Sequence, residues 1–181
     1  PGVIAVPRVD ADSRAETDVV WGEVTSVAIG WAGDPDVRFR AATGGVLTGL
    51  ALHLLESGEV DAILHIAPGP GGLESQWTLS TTAADVIAAS GSRYGPTSPL
   101  AGLGVALDRG RPFAVVAKPC DLGAIHAYAQ TDERVDKLCL YRLTMVCGGQ
   151  SRISKTLGLV SDFGVEPNDV ASVRYRGFGN P

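Results

Sequence analysis

The sequence contains little charge and few aromatic residues, and these shortages exclude several classes of protein. Charged residues make up 19% and aromatic residues 6% of the 181 positions, and the net charge is −5. No cluster of lysines and arginines is present, which argues against nucleic acid or an anionic membrane surface as the main partner. Because apolar residues still make up 45%, we predict one folded domain rather than a disordered chain.

The sequence also lacks a long hydrophobic run and a disulfide framework. Its longest uncharged apolar stretch, residues 41–55, is too short to span a membrane and is internal, unlike a signal peptide. Three cysteines are too few and too oddly numbered for paired disulfides, which favours a reducing compartment and predicts a cytoplasmic protein. The first residue is Pro1 rather than an initiator methionine, so we expect a piece of a longer protein.

Strand and helix patterns alternate along most of the chain. Residues 1–22 show no sustained period and are predicted as an extended lead-in to a domain over residues 23–181. Apolar runs bounded by turn residues predict strands at 23–31, 60–66, 76–80, 113–117, 138–146 and 171–176. This alternation favours an α/β fold, with a mainly parallel or mixed sheet flanked by helices.

Capping residues and glycines mark the predicted helices. The predicted helices run from a Thr43 cap to Gly58, from a Thr82–Asp85 capping box to Gly91, from Ser98 to Gly110, from an Asp121 cap through Ala129, and from Ser151 to Phe163. Glycine makes up 23 residues, about twice its usual share, so we expect many tight turns.

The turns that follow the strands are the expected ligand site, because open α/β sheets bind ligands beyond the carboxyl ends of their strands. Thr43, Gly44 and Gly45 are predicted to start a helix and to offer a hydroxyl and unpaired amides to a phosphate. A capping threonine followed by closely packed glycines explains the same residues equally well.

Two cysteines follow neighbouring predicted strands. A Lys-Pro-Cys-Asp motif at residues 118–121 comes directly after strand 113–117 and opens a helix. A cysteine at a helix start beside a lysine is suited to act as a nucleophile or a metal-binding thiolate. Cys147 follows the next strand and precedes Gly148, so we expect Cys120 and Cys147 to lie close together. The alternative is that both are small buried hydrophobic residues.

A glycine-bounded loop at residues 91–96 is a further candidate site. It combines a hydroxyl, a cation and an aromatic ring at Ser92, Arg93 and Tyr94, which suits a nucleotide or a flavin, although a plain turn is the alternative. The sequence has no zinc motif, no nucleotide-binding glycine loop and no G-x-S-x-G motif. No histidine has a ligand partner at metal-binding spacing, so a core or helix-face role is favoured for each: His53, His65 and His126.

Five segments then point to a known family when they are taken together. They are Arg-Ala-Ala-Thr-Gly-Gly at 40–45, Gly-Ser-Arg-Tyr-Gly-Pro at 91–96, Lys-Pro-Cys-Asp at 118–121, Val-Cys-Gly-Gly at 146–149 and Arg-Tyr-Arg-Gly-Phe-Gly-Asn-Pro at 174–181. In this order and spacing the chain, from about Trp31 to Pro181, resembles the beta-subunit family of coenzyme F420 hydrogenases and dehydrogenases. Five motifs in register make a chance resemblance improbable.

The resemblance implies an oxidoreductase subunit in which FAD links a hydride carrier to an iron–sulfur cluster. FAD would exchange a hydride with a deazaflavin or a similar carrier and exchange single electrons with a [4Fe-4S] cluster. In this interpretation Thr43, Gly44 and Gly45 contact the pyrophosphate, and Ser92, Arg93 and Tyr94 line the flavin or nucleotide. The other expected cofactor-binding residues are Lys118, Pro119, Asp121 and Gly148.

The same resemblance implies that Cys120 and Cys147 are cluster ligands. The C-x-x-C pair that would complete their ligand set is absent, and a [4Fe-4S] cluster needs four thiolates, so we expect this piece to lack the cluster. Pro1 and Gly2 resemble the end of an upstream ferredoxin-type cysteine motif, and the chain is expected to stop where the family's C-terminal region begins. Expected partners are other redox subunits and a hydride carrier, and a homo-oligomer stays open.

Two other functions remain open from the residues. The first is a hydrolase or transferase with Cys120 as its nucleophile, although His126 lies about one and a half helical turns away and is poorly placed as its base. The second is a scaffold without catalysis that binds partner subunits. Visible absorption separates both from a flavin or iron–sulfur protein.

Overall fold

The computed structural model describes residues 16–20 and 22–176. Strands β1 (Glu16–Asp18) and β2 (Gly22–Val24) pair in antiparallel fashion as a short hairpin. Most of the predicted lead-in lies outside the described residues, and its described part is paired in this hairpin. The predicted strand over residues 23–31 is wrong beyond Val24. Residues 26–32 form neither helix nor strand, and Ala32 N donates a hydrogen bond to Gly44 O at 2.7 Å.

A mixed four-stranded sheet forms the centre of the described structure. It contains β3 (Ala62–Pro68), β4 (Ser75–Ser80), β5 (Phe113–Ala117) and β6 (Cys139–Thr144), in the spatial order β4-β3-β5-β6. Strands β3, β5 and β6 are parallel, and β4 is antiparallel to β3. The predicted α/β class is confirmed, and four of the predicted strands are present with bounds shifted by no more than two residues.

Helices lie on both faces of this sheet. They are α1 (Pro35–Arg40), α2 (Val46–Glu56), α3 (Ala83–Ala88), α4 (Leu103–Asp108), α5 (Pro119–Ala129), α6 (Arg134–Leu138) and α7 (Ile153–Asp162), with short 3-10 turns at Thr43–Gly45, Pro99–Gly102 and Pro167–Asp169. Successive side chains of a strand point to opposite faces, and this alternation divides the core. Phe113 and Val115 pack with α4, α5 and α6, whereas Ala114 packs with α2 and α3.

Two of the predicted caps are wrong. Helix α2 begins at Val46 after Gly45, and Thr43 lies before it in a 3-10 turn with φ of 53°. Helix α5 begins at Pro119 after Lys118, so Asp121 lies inside its first turn rather than at its cap. Ser98 does occupy the predicted cap position before Pro99, although its side chain makes no cap bond. Thr43 and Asp121, which are typical of caps by residue type, serve other contacts instead.

The predicted last strand over residues 171–176 is also wrong. This segment pairs with no strand among the described residues and instead crosses the loop that precedes β4. A Cβ atom on Gly72 would lie 2.7 Å from Ala171 O and from Ser172 Cα, so the two backbones are in direct contact. We call residues 171–176 the strap.

The capping box at the start of α3 is confirmed. Thr82 Oγ1 accepts a hydrogen bond from Asp85 N at 3.2 Å, and Asp85 Oδ2 accepts one from Thr82 N at 3.2 Å. Thr82→Ala is therefore expected to lower the free energy of unfolding by about 1 kcal/mol, because a helix-start amide loses its acceptor. Urea unfolding measures this, and Thr81→Ala, at an exposed position with no cap bond, is the control. Equal effects would contradict the assignment.

Candidate functional site

A cavity of about 830 Å³ lies beyond the carboxyl ends of the three parallel strands. His65 and Val116 contribute to its floor from β3 and β5, and Thr144 stands at the end of β6. Helices α2 and α3, the loop at residues 90–94 and the segment at residues 145–150 form its walls. The cavity thus has the location that the sheet topology predicts for a ligand.

The charged side chains that line this cavity are all positive. Arg93, Lys118 and Arg176 contribute to it, and no aspartate or glutamate of the described chain does. The whole protein carries a net charge of −5, so the charge of the cavity lining is opposite in sign to the overall charge. Apart from these cations most of the lining side chains are apolar or small, as in α2 and α3. The site therefore favours an anionic ligand with a large apolar part.

The structure brings most of the predicted site residues to the cavity and leaves some outside it. Those that line it are Thr43, Ser92, Arg93, Tyr94, Lys118, Cys147 and Gly148. Those that do not are Gly44, Gly45, Pro119, Cys120 and Asp121.

The two glycines of the Thr-Gly-Gly turn are placed by packing. Both have positive φ, 68° at Gly44 and 75° at Gly45. A Cβ atom would lie 3.1 Å from Trp31 Cβ at Gly44 and 3.2 Å from Val37 O at Gly45, so these contacts and the left-handed backbone favour glycine. The Gly45 amide donates to Ala42 O at 3.0 Å and is already paired. Close packing thus accounts for both glycines without a ligand.

Arg93 is held by the loop that precedes β4 and by the first residue of β4. Its guanidinium donates to Ser75 Oγ at 2.7 Å, to Gly72 O at 2.8 Å and to Glu74 O at 2.8 Å. Burial lowers the pKa of Arg93, and no carboxylate among the described residues pairs with it. Arg93 thus supplies charge to the cavity wall while its hydrogen bonds are made to the loop.

Lys118 joins three elements at the end of β5. Its Nζ lies 2.6 Å from Asp121 Oδ2 and donates to Thr97 Oγ1 at 3.0 Å. The Nε2 atom of Gln150 donates to the same threonine oxygen at 3.0 Å. Asp121 is therefore the ion-pair partner of Lys118, and its carboxylate neutralises this cation. Of the three cations, Lys118 contributes least to the field inside the cavity.

The strap carries Arg176, which belongs to the motif at residues 174–181 but is not among the predicted site residues. Its first arginine, Arg174, donates to Phe39 O at 2.8 Å and to Arg40 O at 3.1 Å, the carbonyls at the end of α1. Arg176 then donates to Thr43 Oγ1 at 3.2 Å and lines the cavity. The arginines of the motif at residues 174–181 were the available signal, but that motif does not show where the strap lies.

Tyr175 of the strap packs against the loop at residues 91–96. Its ring makes an edge-to-face contact with Tyr94, with 5.4 Å between the ring centroids. Its hydroxyl lies 3.2 Å from Thr156 Oγ1 on α7. The strap therefore ties the Tyr94 wall of the cavity to the Thr43 wall.

The three cysteines lie in different surroundings. Cys147 is exposed and lines the cavity, and Cys120 is exposed on the first turn of α5 outside the lining. Cys139 is buried at the start of β6, and burial raises the pKa of its thiol. Within the described part of the chain, no group of three or more histidine, cysteine, aspartate or glutamate side chains is placed to hold a metal ion. The proximity of Cys120 to Cys147 stays a prediction.

No helix in residues 16–20 and 22–176 is long and apolar enough to cross a membrane.

Two family models match most of the chain. Both are described as models of the coenzyme F420 hydrogenase/dehydrogenase beta subunit. The model of its N-terminal part matches residues 27–103, and the model of its C-terminal part matches residues 110–180. The family's C-terminal region therefore begins inside this chain, and the expectation that the chain stops where that region begins is wrong.

Two similar proteins carry names that include a function. The F420-dependent formate dehydrogenase 1 subunit beta of Methanococcus maripaludis is 27% identical over 140 residues, which cover 77% of this chain and 36% of that protein. The F420-dependent formate dehydrogenase subunit beta of Methanocaldococcus jannaschii is 28% identical over 118 residues, which cover 65% of this chain and 31% of that protein. This chain spans about a third of the length of these relatives.

A solved structure has a similar fold. A chain in a xenon-derivatised structure of the F420-reducing [NiFe] hydrogenase complex from Methanosarcina barkeri superposes with a TM-score of 0.67 at 21% identity. The match covers 73% of this chain and 47% of that chain. At this identity the likeness extends to the fold alone.

Proposed function

This chain belongs to the beta-subunit family of coenzyme F420 hydrogenases and dehydrogenases, and from that premise we propose that it is the FAD-binding part of a redox subunit. In the proposed reaction, a deazaflavin or a similar carrier exchanges a hydride with FAD, and FAD exchanges electrons with other redox centres. Other redox subunits as partners and a cytoplasmic location belong to the same proposal.

The cavity is the observation that carries this proposal. Its volume of about 830 Å³ lies near the upper end of the range for small-molecule sites, which is roughly 300–1,000 Å³. FAD combines an anionic pyrophosphate with flat, largely apolar rings. A mainly apolar lining with three cations and no described carboxylate fits both parts of such a ligand.

The chain's own residues would divide the binding of FAD between them. Arg176 and the Thr43 hydroxyl would bind the pyrophosphate, because Arg176 has no ion-pair partner among the described residues. The Tyr94 ring and apolar side chains such as Val116 and Met145 would pack against the rings and exclude water. FAD itself would supply the exchange between two-electron and one-electron chemistry.

The described residues do not fit a [4Fe-4S] cluster. Such a cluster needs four thiolates, whereas this sequence has three cysteines, and Cys139 is buried at the start of β6. We propose Cys120 and Cys147 as partial contributors whose partners come from outside the described residues, and neither has a role in the proposed hydride exchange. The cysteine-nucleophile alternative has less support, because Cys120 does not line the cavity.

Titration of the chain with FAD tests the proposal. We expect saturable binding, followed by the visible absorbance of the flavin, and an affinity that falls as salt is added because cations hold the pyrophosphate. Riboflavin, which has the ring but no phosphate, should bind at least about tenfold more weakly, since charged hydrogen bonds are lost. Absence of FAD binding at several hundred micromolar, or equal affinity for riboflavin, would contradict the proposed site.

A further inference from the structure

A buried histidine lies where the core of the protein meets the cavity. His65 interrupts the apolar sequence of β3, and it is only 8% exposed. Ile63, two residues earlier on the same face of the strand, is fully buried among core side chains from α2 and α3. His65 instead lines the cavity. A polar ring at this position has to be accounted for by its hydrogen bonds, because burying an unpaired polar group is costly.

Ser80 is the hydrogen-bond partner of one nitrogen of this ring. The Ser80 Oγ atom lies 2.7 Å from His65 Nε2, and Ser80 is 2% exposed at the end of β4. No other hydrogen bond of the Ser80 hydroxyl is present among the described residues. A buried O–H without an acceptor costs more than an unused oxygen lone pair, so Ser80 donates to Nε2. The ring hydrogen of neutral His65 is then on Nδ1.

The other ring nitrogen, Nδ1, has no hydrogen-bond partner in the described part of the protein and is accessible to solvent. It makes no hydrogen bond within the described residues. Nδ1 is also not among the buried side-chain nitrogen and oxygen atoms of the described chain that lack a hydrogen bond. Nδ1 therefore reaches open space, which for this residue is the cavity. Burial lowers the pKa of His65 to about 4, and the opposing effect of Asp85 is smaller, so the ring is neutral near pH 7.

We propose that His65 donates a hydrogen bond from Nδ1–H to a carbonyl oxygen or an unprotonated ring nitrogen of the flat heterocycle that the cavity binds, and that Ser80 holds the donor in place. The inference rests on the proposed function for the identity of the heterocycle, and it adds a residue that determines the ring's orientation. Val116 and Val86 surround the cavity with apolar side chains, so a ring without a matching acceptor would leave Nδ1–H unpaired.

Two substitutions separate the two nitrogens. The side-chain amide oxygen of glutamine reaches the position of Nε2 and can accept from the Ser80 hydroxyl, so His65→Gln keeps the contact with Ser80 and removes the donor in the cavity. The amide nitrogen of asparagine reaches the position of Nδ1, so His65→Asn keeps the donor in the cavity and loses the contact with Ser80. We expect His65→Gln to weaken FAD binding about tenfold with a nearly unchanged urea midpoint, as the loss of one hydrogen bond implies. His65→Asn should keep FAD affinity within about threefold and lower the urea midpoint.

The controls make each outcome decisive. His53→Gln, at an exposed position on α2, should change neither FAD affinity nor the urea midpoint. If His65→Gln binds FAD as tightly as the unaltered chain, the inference is wrong and the proposed function stands. If the unaltered chain binds no FAD, both are wrong.

A measurement on the unaltered chain avoids any folding defect of the variants. Nitrogen-15 NMR of the imidazole should show the proton on Nδ1 at pH 7, and the Nδ1 signal should shift when FAD is added. A proton on Nε2, or an Nδ1 signal that does not respond to bound FAD, would overturn the inference.

Discussion

Replacing Arg93 with leucine is expected to lower the free energy of unfolding by about 2–4 kcal/mol, because three acceptors in one loop lose a shared charged donor. Ser75 Oγ, Gly72 O and Glu74 O all lie within 2.8 Å of its guanidinium nitrogens. This loop in turn contacts the strap, which packs against Gly72. Urea unfolding measures the loss, and limited proteolysis should show cleavage moving to residues 69–75.

Two further variants test the role of Arg93, one for the fork shape of its side chain and one as a surface control. Arg93→Lys keeps the charge but cannot reach three acceptors in a fixed geometry, so it should recover only part of the stability. Arg109→Leu, at an exposed position at the end of α4, should change the free energy of unfolding by no more than about 0.5 kcal/mol. If Arg93→Leu were as stable as Arg109→Leu, the role in the loop would be wrong.

Arg176→Ala is expected to weaken FAD binding about 30-fold, or about 2 kcal/mol, because the pyrophosphate loses its unpaired cation. Arg176 reaches the cavity beside Thr43 and has no ion-pair partner within the described ranges. The salt dependence of FAD binding should also become shallower, since one charged contact is removed. Titration at two salt concentrations measures both effects.

The matched control for Arg176 removes the same charge elsewhere. Arg109→Ala lowers the net charge equally, but Arg109 does not line the cavity, so FAD affinity should change less than about twofold. Riboflavin has no pyrophosphate, and its affinity should be the same for Arg176→Ala and for the unaltered chain. An equal loss for riboflavin and FAD would place Arg176 against the ring and contradict its role at the phosphate.

Local signals were sufficient for the central elements of the fold. The apolar run at residues 113–117 predicts β5 with its observed bounds, and the Thr82–Asp85 pair predicts the cap of α3. Both depend on interactions between residues close in sequence or on burial from both faces. Thr43 and Asp121 have the composition of caps too, but each has a distant or competing partner, Arg176 and Lys118 respectively.

Long-range contacts explain the elements that were mispredicted. The alternating side chains Val27, Ile29 and Trp31 are typical of a strand, yet they are 80%, 94% and 62% exposed. A strand also needs a neighbour with free backbone groups, and no pattern within the segment indicates whether one is available. The strap likewise has the composition of a short strand, but its arginine side chains bond to carbonyls of α1 about 135 residues earlier.

The order of motifs along the chain was enough to identify the family and to predict the candidate site at the carboxyl ends of parallel strands, where the cavity lies, because both depend on the succession of elements. Only the tertiary structure decides which side chains face the cavity. Cys120 lies outside the lining. Arg93 is turned toward the loop that precedes β4, and His65 and Arg176 are brought in by β4 and by the strap. These placements result from hydrogen bonds between residues 15 to 133 positions apart, and no local pattern in the sequence encodes such pairings.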